Sequence, residues 1–180
     1  PEVQGLLGFS GGDGVVVHSL EELKALPEFD KAIVVAQTTQ NAAVFGELGA
    51  WVNSWYPHYK VFDTICDSTI KRQEEVSRLA DPVDAVIVVG GKDSGNTQRL
   101  AEIAGQDGKS AYHVESELEL DLDALGPIDE IGITAGASTP NWMIKKVHSR
   151  LESLMFRPSR GLRGMLMGFQ RNLLLTNIYV

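Results

Sequence analysis

The chain has 180 residues, 43% of them hydrophobic, enough to bury a real core as one large domain or two small ones. A formal charge of −8 and a pI near 5.0 exclude a phosphate-tracking nucleic-acid surface, which needs clustered Lys and Arg, and point instead to a small-molecule partner. A single cysteine, Cys66, excludes an internal disulfide and makes the reducing cytoplasm the expected compartment, while no apolar run reaches the ~18 residues of a membrane span.

Pro1 is followed by Glu2-Val3-Gln4-Gly5 with neither a helix cap nor a strand lead-in, so the start reads as a cut and not as a signal peptide. From Gly5 onward, short β-branched runs alternate with longer amphipathic stretches, the pattern of βα repeats on mainly parallel sheets. Val15-Val16-Val17 is a strand candidate. Ser19 with Glu22 three residues on forms a capping box for a short helix over residues 20–26. Ile33-Val34-Val35 predicts a buried strand, and Val44, Leu48, Trp51, Val52 and Trp55 have helical spacing over residues 41–56. Residues 59–62 form the next strand, 68–80 a helix, 85–89 a continuous apolar strand and 97–106 a helix. Strands over 110–114 and 130–134 follow, then a helix over 140–154 with Pro140 in its first turn.

The expected architecture is therefore α/β, two small lobes of mainly parallel sheet flanked by helices, with residues 1–58 in one lobe and 59–155 in the next. Residues 156–180 differ in kind. They carry Arg157, Arg160, Arg163 and Arg171 with no acid, among Leu, Met and Phe, and finish on an apolar run. Such a segment suits a basic amphipathic helix on an anionic membrane surface, or the approach to a fused membrane domain. It equally suits a terminal helix and strand packed on the lobes.

In a parallel sheet, functional groups collect where strands hand over to helices. Four such corners are rich in hydroxyls, amides and glycines: Gln37-Thr38-Thr39, residues 64–69 around Cys66, residues 90–97, and residues 134–140. Small polar residues at helix starts also serve as plain caps. Four together suit a diphosphate, which wants several unobstructed donors of the kind Thr38, Ser94, Asn96 and Ser138 carry, with Gly95 and Gly136 allowing close backbone approach. Neither glycine loop has P-loop or GxGxxG spacing. Cys66 stands just before a helix start, where the dipole favours a thiolate and a metal or cluster ligand is plausible. Glu2 is a candidate proton donor. His18, His58, His113 and His148 are scattered without ligand spacing.

The run from Thr64-Ile65-Cys66 to Arg72-Gln73, then Val88-Val89-Gly90 with Asp93-Ser94-Gly95-Asn96-Thr97, then Ile133-Thr134-Ala135-Gly136-Ala137-Ser138-Thr139-Pro140, resembles the LytB/IspH family in order and spacing. The resemblance implies three α/β lobes around a [4Fe-4S] cluster held by three cysteines, of which Cys66 matches the third. It makes Glu2 the acid of the HPEV motif and a proton relay, and Thr38 the threonine of the QTT motif near the substrate hydroxyl. Ser94, Asn96 and Ser138 match the diphosphate cradle, while Gly95 replaces the second of the family's paired serines. The implied activity is reductive dehydroxylation of 4-hydroxy-3-methylbut-2-enyl diphosphate, with ferredoxin or flavodoxin as electron donor. The motif's histidine and the first lobe, with two cysteine ligands, have no counterpart, so the isolated chain is expected to lack the cluster and to be inactive. Cys66 is expected within reach of Ser94, Asn96 and Ser138. One rival reading is a non-catalytic diphosphate-binding module; another is a flavodoxin-like nucleotide domain, which leaves the cysteine corner unexplained.

Overall fold

Residues 2–121, 128–155 and 172–175 are described by the computed structural model. They fall into two compact units, Pro1–Ile70 and Lys71–Val180.

The first unit opens with helix α1 (Glu2–Phe9), none of whose residues is buried. The strand expected over residues 15–17 does not form: Val15 and Val16 are exposed and belong to no ladder. A β-branched run supplies propensity, but a strand also needs a partner and a face to bury. Helix α2 (Leu20–Lys24) has the expected cap, with Ser19 Oγ accepting from the Glu22 amide at 3.2 Å. The Glu22 carboxylate reaches back to the His18 amide at 2.7 Å.

Strands β1 (Ile33–Val35) and β2 (Lys60–Phe62) pair in parallel with Val34 opposite Val61, and helix α3 (Ala42–Trp55) is the crossover between them. Asn41 caps α3, its Oδ1 accepting from the amides of Ala43 and Val44 at 2.9 and 3.1 Å. Period-two alternation sends Val34 and Val61 into a small core with Ala36, Phe45 and Ile65, and leaves Ile33, Val35 and Phe62 exposed. Because β2 pairs with β1, the division between units falls after Ile70 instead of at residue 59. Helix α4 (Asp67–Ala80) runs across that division.

The second unit is a parallel sheet in which β3 (Ala85–Val89), β4 (Ser110–Val114), β5 (Glu130–Ala135) and β6 (Asn172–Leu175) stand in the order β4-β3-β5-β6. Every residue of β3 is buried, as a central parallel strand covered on both faces must be. Its alternation assigns the two layers. Ala85, Ile87 and Val89 pack with Ile144, Val147 and Leu151 of helix α6 (Asn141–Met155), while Val86 and Val88 pack with Val76 and Leu79 of α4 and Leu100 and Ile103 of helix α5 (Gly95–Ala104). From β3 the chain moves to β4 on one side and then to β5 on the other. The gap between β3 and β5 is therefore the topological switch point, where open α/β sheets bind ligands beyond the carboxyl ends of their strands.

Candidate active site

In the first unit, the corners after β1 and β2 are joined by hydrogen bonds. The Thr64 hydroxyl donates to the Ala36 carbonyl at 2.6 Å and accepts from the Ala36 amide at 2.9 Å. One turn on, the Cys66 amide donates to the Thr38 carbonyl at 3.0 Å. Thr38 is also held from its other side. Its amide donates to Glu2 Oε1 and its hydroxyl to Glu2 Oε2, both at 2.9 Å. The three residues that sequence reasoning gave to proton transfer and metal binding thus form one connected group, with Thr38 between the carboxylate and the cysteine.

Cys66 is exposed and stands immediately before α4, whose first amides point toward its sulfur. Its Sγ lies 3.1 Å from Ser68 Oγ. The Ser68 hydroxyl, then the Ser68 and Thr69 amides, hold the thiol below its ordinary value, against the opposing effects of desolvation and the Asp67 carboxylate. These contacts favour the thiolate, the form in which a cysteine acts as nucleophile or metal ligand. Among the described residues, no three His, Cys, Asp or Glu side chains gather into a metal site.

In the second unit, the corners after β3 and β5 stand at the switch point. Ser94 caps α5, its Oγ accepting from the Thr97 amide at 3.3 Å. Gly95 opens the helix with an exposed backbone, and such a helix start leaves amides free for an anion. Asn96 is half-buried, and its Nδ2 is buried without a hydrogen-bond partner among the described residues. Ser138 is exposed in the β5–α6 corner, which closes on β3 through bonds to the Val89 carbonyl from the Gly136 amide and the Thr139 hydroxyl, each at 3.0 Å.

Sequence reasoning missed the groups that hold these corners. The loop after β3 is tied at Lys92, whose amide donates to Glu115 Oε1 at 2.6 Å and whose ammonium pairs with Glu119 at 2.5 Å. His113 Nε2 lies 2.9 Å from the Gly90 carbonyl. Thr97 and Thr139 are packed against Gly90 and Gly136. No local signal could have found the contacts of Lys92 and His113, or those of Thr97 with Gly136 and Thr139 with Gly90, since each joins residues more than 20 positions apart.

The LytB protein family model matches residues 1–152. The 4-hydroxy-3-methylbut-2-enyl diphosphate reductase of Aquifex aeolicus is 41% identical over 157 residues, 86% of this chain and 54% of that protein. The protein of the same name from Oleidesulfovibrio alaskensis is 47% identical over 86% of this chain and 56% of its own length. A solved structure of the E-1-hydroxy-2-methyl-but-2-enyl-4-diphosphate reductase from Plasmodium falciparum shares the fold, with a TM-score of 0.78 at 22% identity over 96% of this chain and 52% of that one. The chain spans about half the length of the curated relatives it matches.

Proposed function

The chain belongs to the LytB family, and from that premise we propose that it is the part of a 4-hydroxy-3-methylbut-2-enyl diphosphate reductase that supplies the proton relay, one thiolate and the diphosphate cradle. The observation that carries this reading is the connected group of Glu2, Thr38 and Cys66, in which the Glu2 carboxylate holds the amide and hydroxyl of Thr38 while the Thr38 carbonyl accepts from the backbone amide of Cys66.

The reaction removes the allylic hydroxyl as water. The carbon–oxygen bond breaks, two electrons and two protons are taken up, one proton completes the water, and the other forms a C–H bond at either end of the allyl unit. Isopentenyl or dimethylallyl diphosphate results according to the end protonated. Glu2, when protonated, passes a proton to the Thr38 hydroxyl oxygen, whose own proton moves on to the departing substrate oxygen. Such relayed acid catalysis needs donor and acceptor at hydrogen-bond distance, and the 2.9 Å contact between Glu2 Oε2 and the Thr38 hydroxyl supplies the first leg, while the Thr38 amide holds Oε1 in place. Ser94, Asn96 and Ser138 take the diphosphate with their side chains, and Gly95, lacking a hydroxyl, contributes backbone alone. A low-potential donor such as ferredoxin or flavodoxin delivers the electrons.

The family resemblance implies an iron–sulfur cluster, to which Cys66 would give one thiolate. A cubane needs further thiolates, and this sequence holds a single cysteine. The residues of this chain do not by themselves fit the cluster.

The test is turnover by the whole protein, purified anaerobically and supplied with the diphosphate substrate and a reduced viologen. Glu2→Gln is expected to lower kcat by about 10²- to 10⁴-fold, the usual contribution of a general acid, with little change in substrate binding. Absence of turnover by the parent protein would overturn the reductase reading, and pyrophosphate binding without turnover would assign the chain to a binding module.

A further inference from the structure

The diphosphate reading gives roles to Ser94, Asn96 and Ser138, but these stand on two separate corners and must be held in mutual register. Two glycines and two threonines meet between those corners. Gly90 has φ +150, in the region only glycine enters freely. A Cβ on it would lie 2.7 Å from Thr139 Oγ1 and 3.0 Å from Thr97 Oγ1. A Cβ on Gly136 would run straight into Thr97 Oγ1 and come within 3.2 Å of Thr139 Oγ1. The Thr97 side chain therefore occupies the space that both glycines leave open, one glycine from each corner.

Thr97 is 1% exposed, and its Oγ1 has no hydrogen-bond partner among the described residues. Burying an unpaired hydroxyl costs free energy, so a hydrogen bond within the fold does not account for this side chain. Its shape does. Thr139 has a separate task, since its hydroxyl donates to the Val89 carbonyl at 3.0 Å and closes its own corner. Thr97 belongs to the first turn of α5, two residues after Gly95 and one after Asn96, and reaches across to the corner that carries Ser138.

We propose that Thr97 is a positioning residue, a steric key between Gly90 and Gly136 that sets the start of α5 against the β5–α6 corner so that both present their donors to one diphosphate. The inference rests on the diphosphate reading above.

The test is calorimetric titration of the 180-residue chain with inorganic pyrophosphate, alongside urea unfolding of each variant. Thr97→Ala is expected to weaken pyrophosphate binding by about tenfold, the scale of one hydrogen bond lost to misplacement, while Thr97→Ser, which keeps the oxygen, holds the parent affinity. Gly136→Ala is expected to weaken binding similarly. The double variant Thr97→Ala/Gly136→Ala should recover most of the loss, because the new methyl fills the space the hydroxyl left, and such recovery is a coupling that independent sites do not show. A role in stability alone would lower the unfolding midpoint and leave the affinity of the folded chain unmoved. Parent affinity in folded Thr97→Ala, or no recovery in the double variant, overturns the key. No pyrophosphate binding by the parent chain overturns the diphosphate reading and this inference with it.

Discussion

Cys66 shows how far a single residue could be read without coordinates. Its place before a helix start was legible, and so was the chemical preference for a thiolate there. Its contacts were not. Ser68 reads in the sequence as an ordinary helix-start serine, yet its hydroxyl lies 3.1 Å from the sulfur and is the largest cause of the lowered thiol pKa. Glu2 and Thr38 meet across 36 positions, and the Cys66 amide reaches back to the Thr38 carbonyl, relations that local pattern cannot carry. A consequence can be measured on the chain itself. The rate of alkylation by iodoacetamide follows the thiolate fraction, so its pH profile should inflect below that of an unperturbed thiol. Ser68→Ala should move that inflection upward, because the main influence favouring the thiolate is gone while desolvation and Asp67 still oppose it. Coincident profiles for the parent and Ser68→Ala would contradict the assigned cause.

Elements were legible where two independent signals agreed. The strand over residues 85–89 combined β-branching with an unbroken apolar run, and α2 combined Ser19 at its cap with Glu22 three residues on. Where one signal stood alone, the outcome went either way: Val15-Val16-Val17 had β-propensity without a partner, and α1 formed with two glycines, no buried face and no sequence signal for a cap. The register of β5 on β3 was beyond the sequence, and part of its cause is Asp84. Its Oδ2 accepts from the amides of Asp129 and Glu130 at 2.9 and 3.0 Å, pinning the start of β5 beside the start of β3. The Glu130 amide, then the Asp129 amide, hold the Asp84 carboxyl below its usual range, with Lys109 a lesser influence. A carboxyl whose folded pKa is depressed contributes stability above its unfolded pKa of about 3.9 and loses it as pH falls through the lower folded value. Asp84→Asn should therefore be less stable than the parent at neutral pH, and urea midpoints of the two should converge as pH drops below about 4. A gap that stays constant across that range would remove Asp84 from the account.

At the scale of the whole molecule, the α/β class and the parallel sheets follow from alternating runs and corner-rich glycines. The end of the chain was read least securely. A basic amphipathic helix and a terminal strand were both compatible with residues 156–180, most of which lie outside the described residues. The four that are described form β6, parallel to β5, with Ile131 opposite Leu173 and Ile133 opposite Leu175. A segment engaged in that ladder cannot at the same time lie in a helix on a membrane surface, because its backbone groups are already committed to β5. Among the described residues, no helix is long and apolar enough to cross a membrane. Sequence periodicity could not settle the choice, since a short apolar run suits a strand or a helix alike until a partner edge is known. The pairing has a cost that truncation exposes. Ending the chain after Leu154 removes β6 and leaves one edge of β5 with bare amides and carbonyls, a template for pairing with another copy. The truncated chain should lose on the order of 2 kcal/mol in urea unfolding, from a few ladder bonds at about 1 kcal/mol each. It should also associate as concentration rises, while the parent chain does not. Sedimentation of both across a concentration series checks the second effect, and a truncated chain that stays monomeric with an unchanged unfolding midpoint would show that β6 contributes nothing to the sheet.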